Sequence, residues 1–488
     1  MKYLKKHFGI ALLLLLLASL FLPSCSTNED SSSSSTTATT TDNTTTTDNT
    51  TTTDNTTTTV TCPSSRTLTA STKVPLLLVR VQYADATFQS SETTWADKMF
   101  GTSDGQMNHY LDETTYGKYQ FTPAAETSGC TDDGVVTVTM SGNHPNTQRD
   151  SWACYASAAI TATDSSVDFS AYDNDSNGKL SVTELQVIFL VAGGESATSL
   201  NYPGGVWAMA GSLDCDADLD GIVRVEEGES FMSLDNVSLL DSVNYGQNGF
   251  SQFGERQGSI SKNWDATIGV MAHELGHAYF LLPDLYCTSG TCAGIGNFGL
   301  MGGGTWGYKS SSEYAGVTPV HFSAWAKEKL SICTPQTIAS GTNSITLPAV
   351  YQSSIHAASC GIYKASTSTS GEYFLFENRS PGGYDRGLYF IILYGSENSI
   401  YLNNDSLYTG GVAIWHVKDI LSSCFSYTSN NCETQSPPLV DLEEANNADL
   451  DNGSSNGRTT HLFYSANSAT FDNSSTPDSK LYDNSSSG

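Results

Sequence analysis

The chain has 488 residues, and its 51 Asp and Glu outnumber its 22 Lys and Arg to give a net charge of −29. A protein this acidic is repelled by polyanions, which argues against nucleic acid as a partner. The length allows a leader, a linker and a large folded part.

Residues 1–24 are expected to be a signal peptide. Three lysines precede an apolar run over residues 10–22, which is shorter than the ~20 residues that a membrane-spanning helix needs. Residues 22–25 (LPSC) resemble the lipobox of bacterial lipoproteins, which implies a lipid anchor on Cys25 as the one attachment to a membrane. Ser26 then favours the outer membrane or cell surface of a Gram-negative bacterium. Secretion without an anchor is the alternative, because Pro23 is unusual in a lipobox.

Residues 25–61 are expected to be a linker without a fold. They are almost wholly Ser, Thr, Asp and Asn, with Asp-Asn pairs that repeat every six residues from residue 42. Such a composition cannot bury enough apolar surface to form a core. The segment is therefore predicted to be a flexible tether with a length on the order of 30 Å.

The folded part begins with a strand and a helix. Val74–Tyr83 (VPLLLVRVQY) is a continuous apolar run that is typical of a buried strand. Residues 106–121 are expected to form a short helix followed by a strand.

Two acidic stretches have the spacing of a calcium-binding loop, with oxygen ligands at positions 1, 3, 5, 7 and 12 and a glycine at position 6. The first would use Asp173, Asp175, Asn177, the Lys179 carbonyl and Glu184, and the second Asp216, Asp218, Asp220, the Ile222 carbonyl and Glu227. Hard Ca²⁺ prefers six to eight oxygens, which such loops provide. We expect one or two structural calcium ions; solvated acidic turns are the alternative.

The stretch from residue 266 to residue 284 carries the chemistry. His273, Glu274 and His277 form an H-E-x-x-H motif within an apolar helical pattern, for which Asp265 is the expected N-cap. Residues i and i+4 share one face of a helix, so both imidazoles can bind one zinc ion, and Glu274 can act as the general base. The simpler alternative is a buried helix whose histidines only fill the core.

The residues after this helix resemble the immune inhibitor A family of metallopeptidases. The resemblance rests on residues 282–286 (LPDLY), 294–304 and 318–325. It implies that Asp284 is the third zinc ligand and that Met301 lies in a turn beneath the metal. The family has a glycine three residues and an aspartate six residues after the second histidine, whereas this chain places Asp284 one residue later. A bulge at the helix end is expected to absorb the extra residue.

The resemblance spans roughly residues 73–488 and implies an α+β fold. A zincin-type catalytic domain over residues 62–345, with a twisted sheet and an active-site helix, would precede a β-rich C-terminal part over residues 346–488. A helix is expected over residues 324–330, and strands over residues 372–379, 411–417, 439–445 and 461–464. Tyr308 is predicted, by analogy with related zinc peptidases, to stabilise the oxyanion.

The function these features predict is hydrolysis of peptide bonds in secreted or surface proteins by a zinc endopeptidase, with protein or peptide substrates. The alternative is a calcium-stabilised adhesin that has a peptidase fold but no activity. Glu274 argues against the alternative, because a protein that only binds needs no general base.

The 11 cysteines leave an even ten if Cys25 carries lipid, which indicates disulfides in an exported protein. The expected pairs are Cys287 with Cys292, Cys130 with Cys154, and Cys424 with Cys432. A zinc cluster at Cys287 and Cys292 is the weaker alternative. His321 and His416 are expected to be structural, since neither has a second candidate ligand at a suitable spacing.

Overall fold

The structure is a computed structural model. It describes residues 62, 67–146, 152–198, 205–213, 215, 232–239, 249–259, 262–310, 312–339, 341, 344–352, 360–389, 410–419, 430–432, 436–446, 449–468 and 470–487. The predicted signal peptide, lipobox and linker, the second acidic loop and Cys424 lie outside these residues. No helix in the described part of the chain is long and apolar enough to cross a membrane.

All the helices and strands of the described residues lie in one compact unit, Pro63–Gly488. The α-helices of the described residues are α1 (Glu92–Phe100), α2 (Met107–Thr114), α3 (Trp152–Thr161), α4 (Ile268–Ala278) and α5 (Ala324–Lys329). The strands are β1 (Thr72–Gln82), β2 (Tyr119–Pro123), β3 (Val135–Thr139), β4 (Lys179–Leu180), β5 (Gln186–Glu195), β6 (Gly205–Val206), β7 (Met209–Gly211), β8 (Ser233–Leu234), β9 (Val237–Leu239), β10 (Phe250–Ser259), β11 (Lys262–Asp265), β12 (Gln336–Thr337), β13 (Tyr363–Ser366), β14 (Glu372–Arg379), β15 (Gly411–Lys418) and β16 (Val440–Leu442).

The main sheet is mostly parallel and has the order β11-β10-β5-β1-β2. β1 pairs in parallel with β2, β3 and β5, and β5 pairs in parallel with β10, whereas β11 and β7 are antiparallel to β10. All ten residues of β5 are buried, as expected for a strand that is covered on both faces. The predicted strand over residues 74–83 is confirmed as β1, and the predicted helix and strand within residues 106–121 are α2 and β2.

The two faces of this sheet pack against different layers. Leu76 and Leu78 of β1 join one hydrophobic cluster with α1, α2 and α4, while Leu77 and Val79 join a second cluster with α3. Because side chains alternate along a strand, the continuous apolar run of β1 supplies both layers. The motif helix α4 therefore lies on one defined face of the sheet.

A second sheet, β12-β13-β14-β15-β16, follows in the chain. Two of the predicted strands are confirmed as β14 and β15, and β16 is shorter than predicted. The strand predicted over residues 461–464 is wrong: a 3₁₀ turn ends at His461, and one bridge joins Phe463 to Val412. The larger cluster also contains Leu375 and Trp415 of this sheet. The fold is therefore α+β, with a core that continues from the main sheet into the second.

The disulfides of the described residues confirm one predicted pair and correct another. Cys287 bonds to Cys292, so neither thiol is free to bind zinc. The pairing of Cys130 with Cys154 is wrong, because Cys154 bonds to Cys215. Cys130 is itself disulfide-bonded. Cys333 bonds to Cys360, a pair that was not predicted.

Candidate active site

Helix α4 begins two residues later than its sequence pattern indicates. Asp265 is the last residue of β11, where it pairs with Arg256 both across the ladder and through its side chain. It therefore does not cap the helix. Thr267 occupies the N-cap position without a side-chain cap bond, and its backbone N–H donates to Gln257 Oε1 at 3.1 Å. The main sheet, rather than a capping side chain, thus sets the start of α4.

His273, His277 and Asp284 meet at one point. The two Nε2 atoms lie 3.2 Å apart, and each lies 3.1 Å from Asp284 Oδ1. All three residues are buried, with exposed fractions of 8%, 3% and 7%. The structure therefore brings together the two motif histidines and the aspartate that the sequence places seven residues after His277.

Hydrogen bonds on the far side of each ring determine which nitrogen faces the group. Nδ1 of His273 lies 2.9 Å from the Leu300 carbonyl, and Nδ1 of His277 lies 2.7 Å from the Leu282 carbonyl. A carbonyl oxygen can only accept, so each Nδ1 donates a proton to its carbonyl and Nε2 is the ring nitrogen that faces the group. The two Nε2 atoms and Asp284 Oδ1 then form a nearly equilateral triangle.

This triangle has the size that a tetrahedral zinc ion requires. Ligands at about 2.0 to 2.1 Å from Zn²⁺ in tetrahedral geometry are about 3.3 Å apart, against the observed 3.1 to 3.2 Å. Three buried acceptors without a shared proton or cation repel one another. The donor set of two imidazoles and one carboxylate therefore fits zinc with a fourth position open, which is the arrangement of a catalytic rather than a structural site.

Asp284 is ionised in this setting. Burial favours the neutral acid and raises the pKa of its carboxyl, but the neighbouring His277 and His273 lower it, and the net pKa lies well below the usual range. The side chain is thus a carboxylate, the form that binds a metal.

A widened last turn of α4 explains how a late aspartate reaches the group. The N–H groups of Tyr279 and Phe280 both donate to Leu275 O, at 2.9 and 3.1 Å, and Leu282 N–H reaches back to Gly276 O at 2.9 Å. Leu281 adopts a left-handed conformation with φ +56°, where glycine is usual at a helix end. The resemblance implied a bulge at this helix end, and the chain widens here before Asp284.

Met301 packs directly beneath the helix. A Cβ added to Gly276 would lie 2.4 Å from Met301 Sδ, so any larger residue between the two histidines would require Met301 to shift. The Met301 carbonyl accepts from Leu285 N–H at 2.8 Å, and its neighbour Leu300 holds His273. The turn over residues 300–301 therefore supports the group of His273, His277 and Asp284 from below.

Three further side chains are considered with this group: Glu274, Tyr286 and Tyr308. Glu274, on α4 beside His273, is 8% exposed. The Tyr286 ring lies beside the His273 ring, with centroids 6.2 Å apart and an angle of 30°; sequence reasoning gave it no role, although its position two residues after Asp284 is a usable signal. Tyr308 is half-buried and follows the 3₁₀ turn Gly303–Trp306, and its oxyanion role stays a prediction.

The first acidic loop brings three of its predicted ligands together. Carboxylate oxygens of Asp173, Asp175 and Glu184 lie within 4.8 Å of one another. Gly178 has φ +78°, as the sharp turn at position 6 demands. Glu184 also accepts from the N–H groups of Asn174 and Ser181 at 3.0 and 2.9 Å, so the loop is partly closed by its own backbone.

The two histidines that were expected to be structural are hydrogen-bonded to carboxylates. Nε2 of His321 lies 3.0 Å from Glu113 Oε1, and His416 lies between Glu372 at 3.1 Å and Glu443 at 3.0 Å. Each therefore has an acidic partner from a distant part of the chain, which the sequence does not indicate. These contacts agree with a structural role for both histidines.

In this α+β fold, one helix and the loop after it present two histidines, a glutamate and an aspartate. This arrangement is typical of one class of hydrolase, the peptidases with an H-E-x-x-H helix. Residues 247–333 match the family model of the immune inhibitor A peptidase M6 catalytic domain. The segment that holds the site is thus similar to the catalytic domain of the immune inhibitor A peptidases, as predicted, and the match supports a peptidase. The match includes α4, Asp284, Met301 and α5. No curated protein matches the chain.

Proposed function

We propose that the protein is a zinc-dependent endopeptidase that hydrolyses peptide bonds of extracellular proteins. The observation that carries the proposal is the triangle of acceptor atoms formed by His273, His277 and Asp284, with edges of 3.1 to 3.2 Å. The match to a peptidase family over the same residues supports it.

The chain's own residues have separate roles in this chemistry. His273, His277 and Asp284 would hold the zinc, which when bound supplies Lewis-acid polarisation of the scissile carbonyl and of a water molecule. Glu274 accepts the proton of the attacking water and donates it to the nitrogen of the leaving amine. The carbonyls of Leu300 and Leu282 keep both imidazoles in the tautomer that leaves Nε2 free.

Calcium and the cellular address are further parts of the proposal. The loop of Asp173, Asp175 and Glu184 would bind one Ca²⁺ and stabilise the segment that leads into β5. The leader and the tether would place the enzyme outside the cell, held to the outer membrane through lipid on Cys25. A polyanionic surface agrees with extracellular protein substrates rather than nucleic acid.

The rival proposal of an inactive adhesin is tested by the same experiment as the enzyme. Purified protein should bind one zinc per chain and cleave casein, and a zinc chelator should abolish the cleavage. Asp284→Ala should lose zinc affinity by more than the ~10–100-fold that loss of an outer hydrogen-bond partner costs. Asp97→Ala, at an exposed position of α1, is the matched control and should behave as wild type.

Two results would contradict the proposal. Casein cleavage that persists at the same rate after zinc removal would show that the metal is not catalytic. Stoichiometric zinc without cleavage of any unfolded protein substrate would favour the adhesin.

A further inference from the structure

The carbonyl that orients His273 belongs to a segment enclosed between α4 and the C-terminal sheet. Leu300 accepts from His273 Nδ1 at 2.9 Å, and Leu300 N–H donates to the His321 carbonyl at 3.3 Å. The position of the Leu300 carbonyl therefore depends on two irregular segments, residues 298–301 and residues 320–321. Residues that hold these two segments in place therefore also fix the orientation of the His273 imidazole.

One buried ion pair contacts both segments. Arg379, at the end of β14, and Asp385 form a bidentate pair, with Nε to Oδ2 at 2.6 Å and Nη2 to Oδ1 at 2.7 Å. Both side chains are fully buried. The third guanidinium nitrogen, Nη1, donates to the Phe298 carbonyl, and Asp385 Oδ1 accepts from His321 N–H at 3.2 Å. The pair thus bridges the segment that contains Leu300 and the segment that accepts the Leu300 N–H.

A second set of contacts fixes the start of the same segment. Ala293 N–H donates to Leu450 O and Asn297 N–H donates to Asn456 O, both at 2.7 Å. A Cβ on Gly296 would lie 2.4 Å from Asn456 O, so the two backbones are in direct contact. Residues 293–300 are therefore held by the C-terminal part at three backbone positions.

We infer that the C-terminal sheet is a functional part of the metal centre, and that Arg379 and Asp385 are positioning residues that orient His273 through Phe298, Leu300 and His321. The inference rests on the proposed zinc-peptidase function. It extends the centre beyond the residues of the family match, which ends at Cys333, to a sheet that begins just after it.

General energetics favour a positioning role over a purely stabilising one. Removing two charges from water costs more than most buried ion pairs return, so such a pair adds little stability compared with apolar residues of similar volume. A guanidinium paired with a carboxylate does, however, fix the orientation of the groups that it contacts, because the N–H donors of the planar guanidinium point in fixed directions. Partners that orient a metal-binding histidine usually contribute ~10–100-fold to metal affinity.

The test uses the full chain with Arg379→Lys, which keeps the charge but cannot form the bidentate contact and the bond to Phe298 together. We expect a ~10–100-fold weaker zinc affinity of the apoprotein, measured by competition with a chromogenic chelator, at an unchanged far-UV circular dichroism spectrum. At saturating zinc, kcat should fall while KM stays unchanged. Arg386→Lys is the matched control, because Arg386 is a partly exposed neighbour with a surface ion pair to Asp104, and it should match wild type.

A second variant covers the possibility that the lysine disturbs the fold. The double variant Arg379→Met with Asp385→Leu replaces the pair by apolar side chains. Glu377 Oε1 also accepts from Arg379 Nη1 at 3.2 Å. In the variant Glu377 keeps Lys327 at 3.4 Å and Trp415 at 3.1 Å as partners, so no charge is left unpaired. It should fold and still show the loss of zinc affinity.

The outcomes separate this inference from the function on which it rests. If wild type binds zinc and cleaves casein but both variants keep its zinc affinity and kcat, the positioning role is refuted and the enzyme stands. If neither variant folds at low temperature, the pair serves the fold as a whole and the inference is also rejected. If wild type binds no zinc, the proposed function itself fails.

Discussion

Gly276→Ala tests the packing beneath the metal-binding group. In an ordinary helix interior this change is stabilising by about 0.5 to 1 kcal/mol, because alanine loses less backbone entropy than glycine. Here the new Cβ would lie 2.4 Å from Met301 Sδ and 3.0 Å from Met301 Cε, and Met301 is 1% exposed. Overpacking of this kind costs about 1 to 3 kcal/mol, so we expect a net destabilisation of about 1 kcal/mol.

The assay is the free energy of unfolding in urea at a fixed zinc concentration, measured in two backgrounds. In wild type, Gly276→Ala should lower the free energy of unfolding. In Met301→Ala, which itself costs about 2 to 5 kcal/mol, the sulfur is gone and the same change should be neutral or stabilising. The sign should therefore differ between backgrounds, with a coupling energy of about 1 kcal/mol or more. If Gly276→Ala stabilises the wild-type protein, the placement of Met301 against Gly276 is refuted.

Three further predictions concern the helix end, the acidic loop and the leader. Leu281→Gly should stabilise the protein by about 0.5 to 1 kcal/mol in urea, since Leu281 has φ +56° and is 45% exposed; a loss of stability would show that the left-handed conformation is wrong. Calcium should raise the melting temperature of wild type and do so less for Glu184→Ala, and identical melting curves with and without calcium would remove the calcium proposal. Cys25→Ser should abolish lipid labelling and association with the outer membrane, whereas unlabelled wild-type protein in the medium would show ordinary secretion.

Local patterns sufficed for the elements whose determinants are local. The apolar run at β1, the helical periodicity around His273 and the i, i+4 spacing of the two histidines all depend on neighbouring residues, and the structure agrees with them. The fate of the extra residue before Asp284 was also predictable, because a helix end can widen by one residue without disturbing the helix.

Long-range partners account for the predictions that failed. Asp265 has the side chain of an N-cap, but Arg256 holds it in β11. Cys154 pairs with a cysteine 61 residues away, a distance at which spacing carries no information about pairing. Arg379 and Asp385 gave no signal at all, since their contacts to Phe298 and His321 exist only after the second sheet packs against the first. The sequence therefore predicted which three side chains meet in the triangle but not the structure that orients them.

The most direct test of the central claim is Glu274→Gln, measured for zinc content and for turnover on the same sample. The amide keeps the shape of the side chain and lies outside the triangle of His273, His277 and Asp284, but it cannot accept the proton of the attacking water. We predict one zinc per chain, as in wild type, and casein cleavage reduced by at least the ~10²–10⁴-fold that a general base contributes. Cleavage at the wild-type rate by the zinc-loaded variant would contradict the account.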